Sequence, residues 1–345
     1  MTTTSTIPDQ GLKACLGIDV SKATLDACLL QDSADRQRCR RRFANSLSGL
    51  QELLQWLEKL HPQPTEAVME STGSYGELAA HLLHEAGHRV SVVSPLRIQR
   101  YAQSRCRHNK TDQVDAEVIA RFGFTQEQNK KLPQWLPTPE PQAMLRELLR
   151  RREDVACQLQ AERNRLEAAA AKSAVLQSLR RSLCWIEEEM TRLEEEIAQL
   201  LASQPDLAED CKRLEAIPGI GPKSARWLVA ELPRTLQSSR AAAAWAGVAP
   251  GLFESGTIRK PSRISPAGNR YLRKTLFLGA VAARHHDPRF KTFADRLAAR
   301  GLSKMAVVCA VLHKLLRTAF AILKNKSTYE PSHCSVLPKT TQNPA

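Results

Sequence analysis

The 345-residue chain carries 50 Lys and Arg against 36 Asp and Glu, a net charge of +14, with 42% apolar and only 5% aromatic residues. This length is enough for two domains with buried cores, and no run approaches the roughly 18 apolar residues of a membrane span. The opening MTTTSTIPDQ lacks the basic and apolar regions of a secretory signal, and nine scattered cysteines without a CxxC pair argue for reduced thiols in a cytosolic protein rather than zinc ligands or disulfides.

Residues 1–13 are expected to be disordered. Residues 14–31, ACLGIDVSKATLDACLLQ, read as two short strands joined by a turn, with GIDVSK ending the first. RQRCRRRFAN (36–45) adds a third strand, antiparallel to the second, its charges on a solvated face. SLSGLQELLQWLEKLHP reads as a helix capped by Ser46 or Ser48 and stopped by Pro62. EAVMEST (66–72) is a strand, YGELAAHLLHEAGH a helix closing on Gly87, RVSVVSP another strand and LRIQRYAQSR another helix. The order β-β-β-α-β-α-β-α predicts an α/β domain with a mixed sheet over 14–130.

NKTDQVDAEVIARFG (109–123) begins a further helix with Asp112 and Asp115 in its first turn. Helix chemistry alone accounts for such a pair, one as cap and one against the dipole. From 140 to 203 the pattern changes. Leu176, Leu179, Leu183, Ile186, Met190, Leu193, Ile197 and Leu200 alternate spacings of three and four, and a weaker seam runs through Leu145, Leu148, Val155, Leu159 and Leu166. A long helical coiled-coil spacer is expected, folded as an antiparallel hairpin or paired between subunits. In 206–325, helix–Pro-Gly-Ile-Gly–helix (LEAIPGIGPKSARWLVAEL) leads to a final helix, KMAVVCAVLHKLLRTAFAILKN, and 326–345 reads as a disordered tail. Between 206 and 330 there are 22 Lys and Arg against 9 Asp and Glu, so an excess of 13 of the 14 positive charges lies in this region. That footprint fits a polyanion better than a membrane.

Asp19 ends the first strand and Glu70 ends another, at the strand ends where functional groups of α/β sheets gather. Each has a simpler reading: Asp19 as a turn cap, Glu70 as a partner of Arg89 or another base. Four convergent carboxylates, Asp19, Glu70, Asp112 and Asp115, would need a hard cation such as Mg²⁺ between them.

GIDVSK, ESTGSY, NKTDQVDA and IPGIGPKSA…AWAGVAPGLFESGTIRKPSRISPAGNRYLRKTL occur in this order from about residue 14 to residue 324. Together they resemble the DEDD insertion-sequence transposases of the insertion-sequence one-ten family, which are bridge-RNA-guided recombinases. The resemblance implies a RuvC-like (RNase H-type) N-terminal domain in which Asp19, Glu70, Asp112 and Asp115 bind Mg²⁺. It also implies a mainly α-helical C-terminal transposase domain, with a helix-hairpin-helix-like segment, in which Ser255 of LFESGTIRK attacks DNA. The expected product is a covalent Ser–DNA intermediate, which conserves phosphodiester energy; the absence of a GxxxxGK[ST] motif agrees with an ATP-independent reaction. Expected nucleic-acid contacts are Arg105, Arg107 and Lys110 near the acids, Gly219, Gly221 and Lys223 at the Pro-Gly-Ile-Gly turn, and Arg259, Lys260, Arg263, Arg270, Arg273 and Lys274 around the serine. The arginine run 36–42 is a further candidate for holding nucleic-acid backbone. Expected partners are double-stranded DNA at element ends and target, a noncoding bridge RNA, and further copies of the chain as a dimer or tetramer, in the bacterial cytosol at the nucleoid. Two other functions fit parts of this pattern: a RuvC-like metal-dependent nuclease or junction resolvase that uses water, and a non-catalytic nucleic-acid-binding dimer.

Overall fold

A computed structural model describes residues 14–31, 38–71, 73–104, 112–127, 132–170, 174–255, 258–264 and 268–330; for residues 74, 112–114, 252–255 and 258–263 only the backbone is described. The chain forms two compact units, 1–137 and 138–345.

The first unit is built on a five-stranded sheet of β1 (Cys15–Val20), β2 (Thr24–Leu30), β3 (Arg38–Ala44), β4 (Glu66–Glu70) and β5 (Arg89–Val93), in the order β3-β2-β1-β4-β5. The first three strands are antiparallel neighbours, while β4 lies parallel to β1 and β5 parallel to β4. This is the mixed α/β sheet expected from the strand and helix alternation. Strands β1 and β2 are apolar on both sides because both faces are covered. One face, through Leu16, Ile18, Leu25 and Leu29, packs on Leu50, Leu53 and Leu57 of α1 (Leu47–Leu60) and on Ala79 and Leu83 of α2 (Glu77–Glu85). The other, through Cys15, Cys28, Leu30 and Val68, packs on Ile98 of α3 (Pro95–Ser104) and on Ala116, Ile119 and Ala120 of α4 (Asp112–Glu127). Of the two serines offered as caps for α1, Ser46 is the one that accepts from Gly49 N–H, at 3.2 Å. Beyond α4, Trp135 donates its N–H to the Val90 carbonyl at 2.7 Å, which covers part of the β5 edge.

The second unit is mostly helical. The seam residues form one side of a hairpin of α5 (Glu140–Ala168) and α6 (Leu176–Ser203): Val155, Ile186 and Leu193 are buried with Leu148, Leu159 and Met190 packed around them. Arg152 pairs with Glu194, and Arg163 with Glu187 at 2.8 Å, so the two helices run antiparallel within one chain. The base of this hairpin is anchored in the rest of the unit, since Leu145, Leu149 and Ile197 belong to its main core. That core gathers α7 (Pro205–Glu215), α8 (Pro222–Glu231), α9 (Ser239–Trp245), α10 (Arg270–His286), α11 (Pro288–Ala299) and α12 (Lys304–Asn325). α12 is apolar and long enough to cross a bilayer by composition, yet half of that stretch is buried in this core.

Two features depart from the sequence-based expectation. The segment around ESGTIRK is a β-hairpin, β6 (Pro250–Ser255) and β7 (Ile258–Ile264), inside the helical region. Part of the tail expected to lack structure is packed: Tyr329 donates to the buried Asp287, and Arg289 donates to the Glu330 carbonyl at 3.2 Å. Residues 1–13 and 331–345 lie outside the described residues.

Candidate active site

The site in the first unit is set by a close helix–strand contact. A Cβ built on Gly17 would lie 2.3 Å from the Ala116 carbonyl oxygen and 2.3 Å from the Ala120 nitrogen, so the α4 backbone rests directly on β1. A Cβ on Gly123 would meet Cys15 Sγ at 2.3 Å and Val68 Cγ2 at 2.8 Å. Gly123 therefore lies over Cys15 and Ala116–Ala120 over Gly17, and α4 runs antiparallel to β1. Its first turn is carried toward the carboxyl end of that strand, where Asp19 stands.

Side chains alternate along a strand, so Cys15, Gly17 and Asp19 share the α4 face. Val68 and Glu70 share it on β4. Ile18 is paired with Met69 across the β1–β4 ladder, so Asp19 and Glu70 are the next residues at the ends of neighbouring parallel strands. Asp19, Glu70 and Asp115 are each half-buried. Asp112, the first residue of α4, stands one turn before Ala116; its side chain lies outside the described residues. The fold thus brings Asp19, Glu70 and the start of α4 to one end of one sheet face. Among the described residues no three acidic, His or Cys side chains already form a closed cation cluster. The donor set is nevertheless all carboxylate oxygen, the chemistry a hard divalent cation takes.

Beside the acids lies a network the sequence did not announce. Arg42 Nε and Nη2 donate to the two carboxylate oxygens of buried Asp26 at 2.9 and 3.0 Å. Glu117 of α4, 1% exposed, is surrounded by Arg38 at 3.6 Å, by Arg40, and by Arg121 at 2.6 Å. Burial lowers the Arg121 pKa. Arg41 pairs with Glu52 at 3.5 Å. The described arginines of the run, Arg38, Arg40, Arg41 and Arg42, are exposed as expected of a solvated face, and they also pair with acids of β2, α1 and α4, because β3 is the edge strand that borders them. Arg89, offered by the sequence as a partner for Glu70, pairs with Glu66 at 3.3 Å. The Cys28 thiol is pushed up by burial, against the neighbouring Arg40, which makes it a poor nucleophile. Asp26 in TLDACLL and Glu117 in DAEVIARF were legible as acids inside apolar stretches, the one signal that would have marked them as paired. Arg36, Arg105, Arg107 and Lys110 lie outside the described residues.

In the second unit, Ser255 is the last residue of β6 and is registered opposite Ile258, the first of β7. Arg259 stands opposite Glu254, Lys260 opposite Phe253 and Arg263 opposite Gly251. The side chains of Ser255, Arg259, Lys260 and Arg263 lie outside the described residues. The Pro-Gly-Ile-Gly turn joins α7 to α8. Gly219 has φ +94 and would press a Cβ to 2.3 Å from the Gly279 carbonyl, which fixes the turn against α10. Gly221 is the N-cap of α8 with open space beside it, and Lys223 is exposed. Tyr271 stacks on Trp227 with centroids 4.7 Å apart, and the Arg270 guanidinium lies 4.8 Å from its ring. Arg270 also donates to the Tyr271 hydroxyl at 2.8 Å. Lys274 pairs with Glu153, an interaction that raises the lysine pKa and keeps its charge fixed beside α5. Arg273 is half-buried on the same helix.

Residues 16–173 match the DEDD transposases of the IS110 type, described as "Transposase". Residues 211–295 match the "Transposase IS116/IS110/IS902 family". The chain is 33% identical over 326 residues to the pilin gene-inverting protein of Moraxella bovis, covering 92% of this chain and 98% of that one. It is 31% identical over 158 residues to the insertion element IS110 uncharacterized 43.6 kDa protein of Streptomyces coelicolor, covering 45% of this chain and 38% of that one. Among solved structures, T. thermophilus RuvC in complex with a Holliday junction substrate aligns over 35% of this chain and 99% of its own, with 13% identity and a TM-score of 0.29.

Proposed function

The chain belongs to the IS110 family of transposases, and on that premise we propose that it is a site-specific DNA recombinase that cuts and rejoins double-stranded DNA at element ends and target through a covalent bond to Ser255. The observation that carries the reading is the placement of Asp19 and Glu70 at neighbouring strand ends on the face where α4 delivers Asp115. In this reading the first unit is the RuvC-like domain, and Asp19, Glu70, Asp112 and Asp115 hold Mg²⁺. A divalent cation held there would supply Lewis-acid polarisation of a phosphodiester. The hydroxyl oxygen of Ser255 forms a bond to phosphorus as the bond from phosphorus to the leaving sugar oxygen breaks. The serine proton passes to a base, and the leaving oxygen is protonated. Attack by a sugar hydroxyl of the second strand reverses the step and restores the serine, so no ATP is consumed.

Arg259, Lys260, Arg263, Arg270 and Arg273, with Lys223 and the backbone N–H groups at Gly219 and Gly221, neutralise and position DNA phosphates. Lys274, whose charge is offset by Glu153, is assigned a weaker share of this contact through its exposed side chain. Arg105, Arg107 and Lys110, which precede Asp112 and Asp115 in the sequence, are assigned the same phosphate-neutralising role. With 5% aromatic residues, base-by-base stacking contributes little. Sequence choice is assigned to a noncoding bridge RNA that recognises DNA by base pairing. The setting is the bacterial cytosol at the nucleoid.

Asp19→Asn and Asp115→Asn are each expected to abolish Mg²⁺-dependent strand cleavage of element-end DNA on a denaturing gel, while DNA affinity in a mobility-shift assay stays within about threefold, since the basic residues carry binding. Unchanged cleavage in both variants would overturn the metal role. In this reading copies of the chain also assemble, as a dimer that becomes a tetramer when two DNA partners are joined; the α6 seam is already packed against α5 within one chain, so other surfaces join the copies. Light scattering with and without DNA and RNA checks this: monomers under every condition would refute it.

A further inference from the structure

A row of charged residues crosses the sheet beside the acids. Arg42 on β3 stands directly opposite Asp26 on β2, and Asp26 directly opposite Asp19 on β1. Glu70 on β4 continues the row, one step past the Ile18–Met69 pair. Directly opposed residues point to the same face, with Cβ atoms about 4.5–5.5 Å apart, and like charges so placed destabilise each other. The Asp26 side chain is only 8% exposed, and both of its oxygens accept from the Arg42 fork. The Arg42 side chain is half exposed, so its head spans from solvent into the row.

We infer that Asp26 and Arg42 form a positioning pair for the acid site, in which the guanidinium neutralises the buried carboxylate opposite Asp19 and so sets the charge the site presents to a divalent cation. The inference rests on the acid-site reading above. The planar fork suits this role because it occupies both Asp26 oxygens at once, which removes them as competing ligands. A lysine at 42 would supply the charge without the two-point hold. The pair contributes no atom to the reaction.

The test is a double-variant cycle read by calorimetric titration of the full-length protein with Mn²⁺ alone, without nucleic acid. Arg42→Met keeps an apolar stem and leaves Asp26 uncompensated; one extra negative charge about 5 Å from Asp19 is expected to tighten Mn²⁺ binding at least about tenfold. Asp26→Asn leaves the Arg42 charge unbalanced beside Asp19 and is expected to weaken binding at least about tenfold. The double variant is expected to return within about threefold of wild type. Should Arg42→Met fail to fold, Asp26→Asn and the double variant still decide the matter, with circular dichroism confirming the fold of each. Equal Mn²⁺ affinity in wild type, Asp26→Asn and the double variant would overturn the pair's role and leave it structural. Asp19→Asn separates this from the underlying reading. If wild type binds no Mn²⁺, or Asp19→Asn binds it equally well, the acid site itself falls and the pair falls with it.

Discussion

Full-length protein carrying Ser255→Ala is expected to form no covalent protein–DNA adduct when incubated with Mg²⁺, element-end DNA and the adjacent noncoding transcript. Wild type is expected to give a protein-linked DNA band that survives denaturation and disappears on proteolysis. Recombined product should fall with the adduct: removing a nucleophile costs an enzyme on the order of 10⁶-fold, below the floor of such an assay. Binding should persist, because Ser255 carries no charge and the basic residues of α10 and β7 remain. The three readings of the chain separate on this gel. Loss of adduct and product together supports the recombinase. Cleavage that survives Ser255→Ala, with no adduct in wild type, supports a hydrolytic nuclease or junction resolvase in which water attacks. No cleavage by wild type, and binding unchanged by Asp19→Asn, supports a non-catalytic DNA-binding protein.

The second large effect concerns folding. Gly17→Ala is expected to destabilise the first unit by about 3 kcal/mol, at the upper end of what overpacking costs. For a unit of this size that lowers the melting temperature by about 10 °C. The new methyl would sit 2.3 Å from the Ala116 carbonyl oxygen and the Ala120 nitrogen. Both are backbone atoms of a helix, so no rotamer change relieves the clash and α4 must lift away from β1. The same movement displaces the first turn that carries Asp112 and Asp115, so Mn²⁺ affinity should fall together with stability. Gly221→Ala serves as the contrast. Its Cβ would meet nothing within 4 Å, and replacing an N-cap glycine by alanine costs about 1 kcal/mol or less. Equal melting temperatures for Gly17→Ala and wild type would mean that α4 is not seated on β1 in this way.

Local patterns in the sequence carried much of the architecture. Two-residue alternation and apolar runs marked β1 to β5, and the three-four spacing marked α6, because these periods reflect which side of each element meets apolar neighbours. Ser46, Pro62 and Gly87 marked helix ends for similarly local reasons, through a cap, a missing donor and a positive φ of 86°. The motifs also carried the family, since GIDVSK, ESTGSY, NKTDQVDA and LFESGTIRK lie in order along one chain. The β6–β7 hairpin was not legible, because Pro261 and the charges of IRKPSRI obscure the alternation that marks a strand.

What the acids have in common is a matter of three dimensions. Spacing along the chain put Asp19, Glu70 and Asp115 at the ends of separate elements. The parallel β1–β4 ladder made two of them neighbours, and the Gly17–Ala116 contact set the direction in which α4 brings the third. The arginines of β3 show the same division. Their charge is evident from the sequence, but whether a guanidinium faces water or a buried carboxylate depends on strand order and register. Those are fixed by pairing with residues far away in the chain, so Arg42 finds Asp26, and Arg40 finds Glu117, only once the sheet has formed and α4 has closed over it.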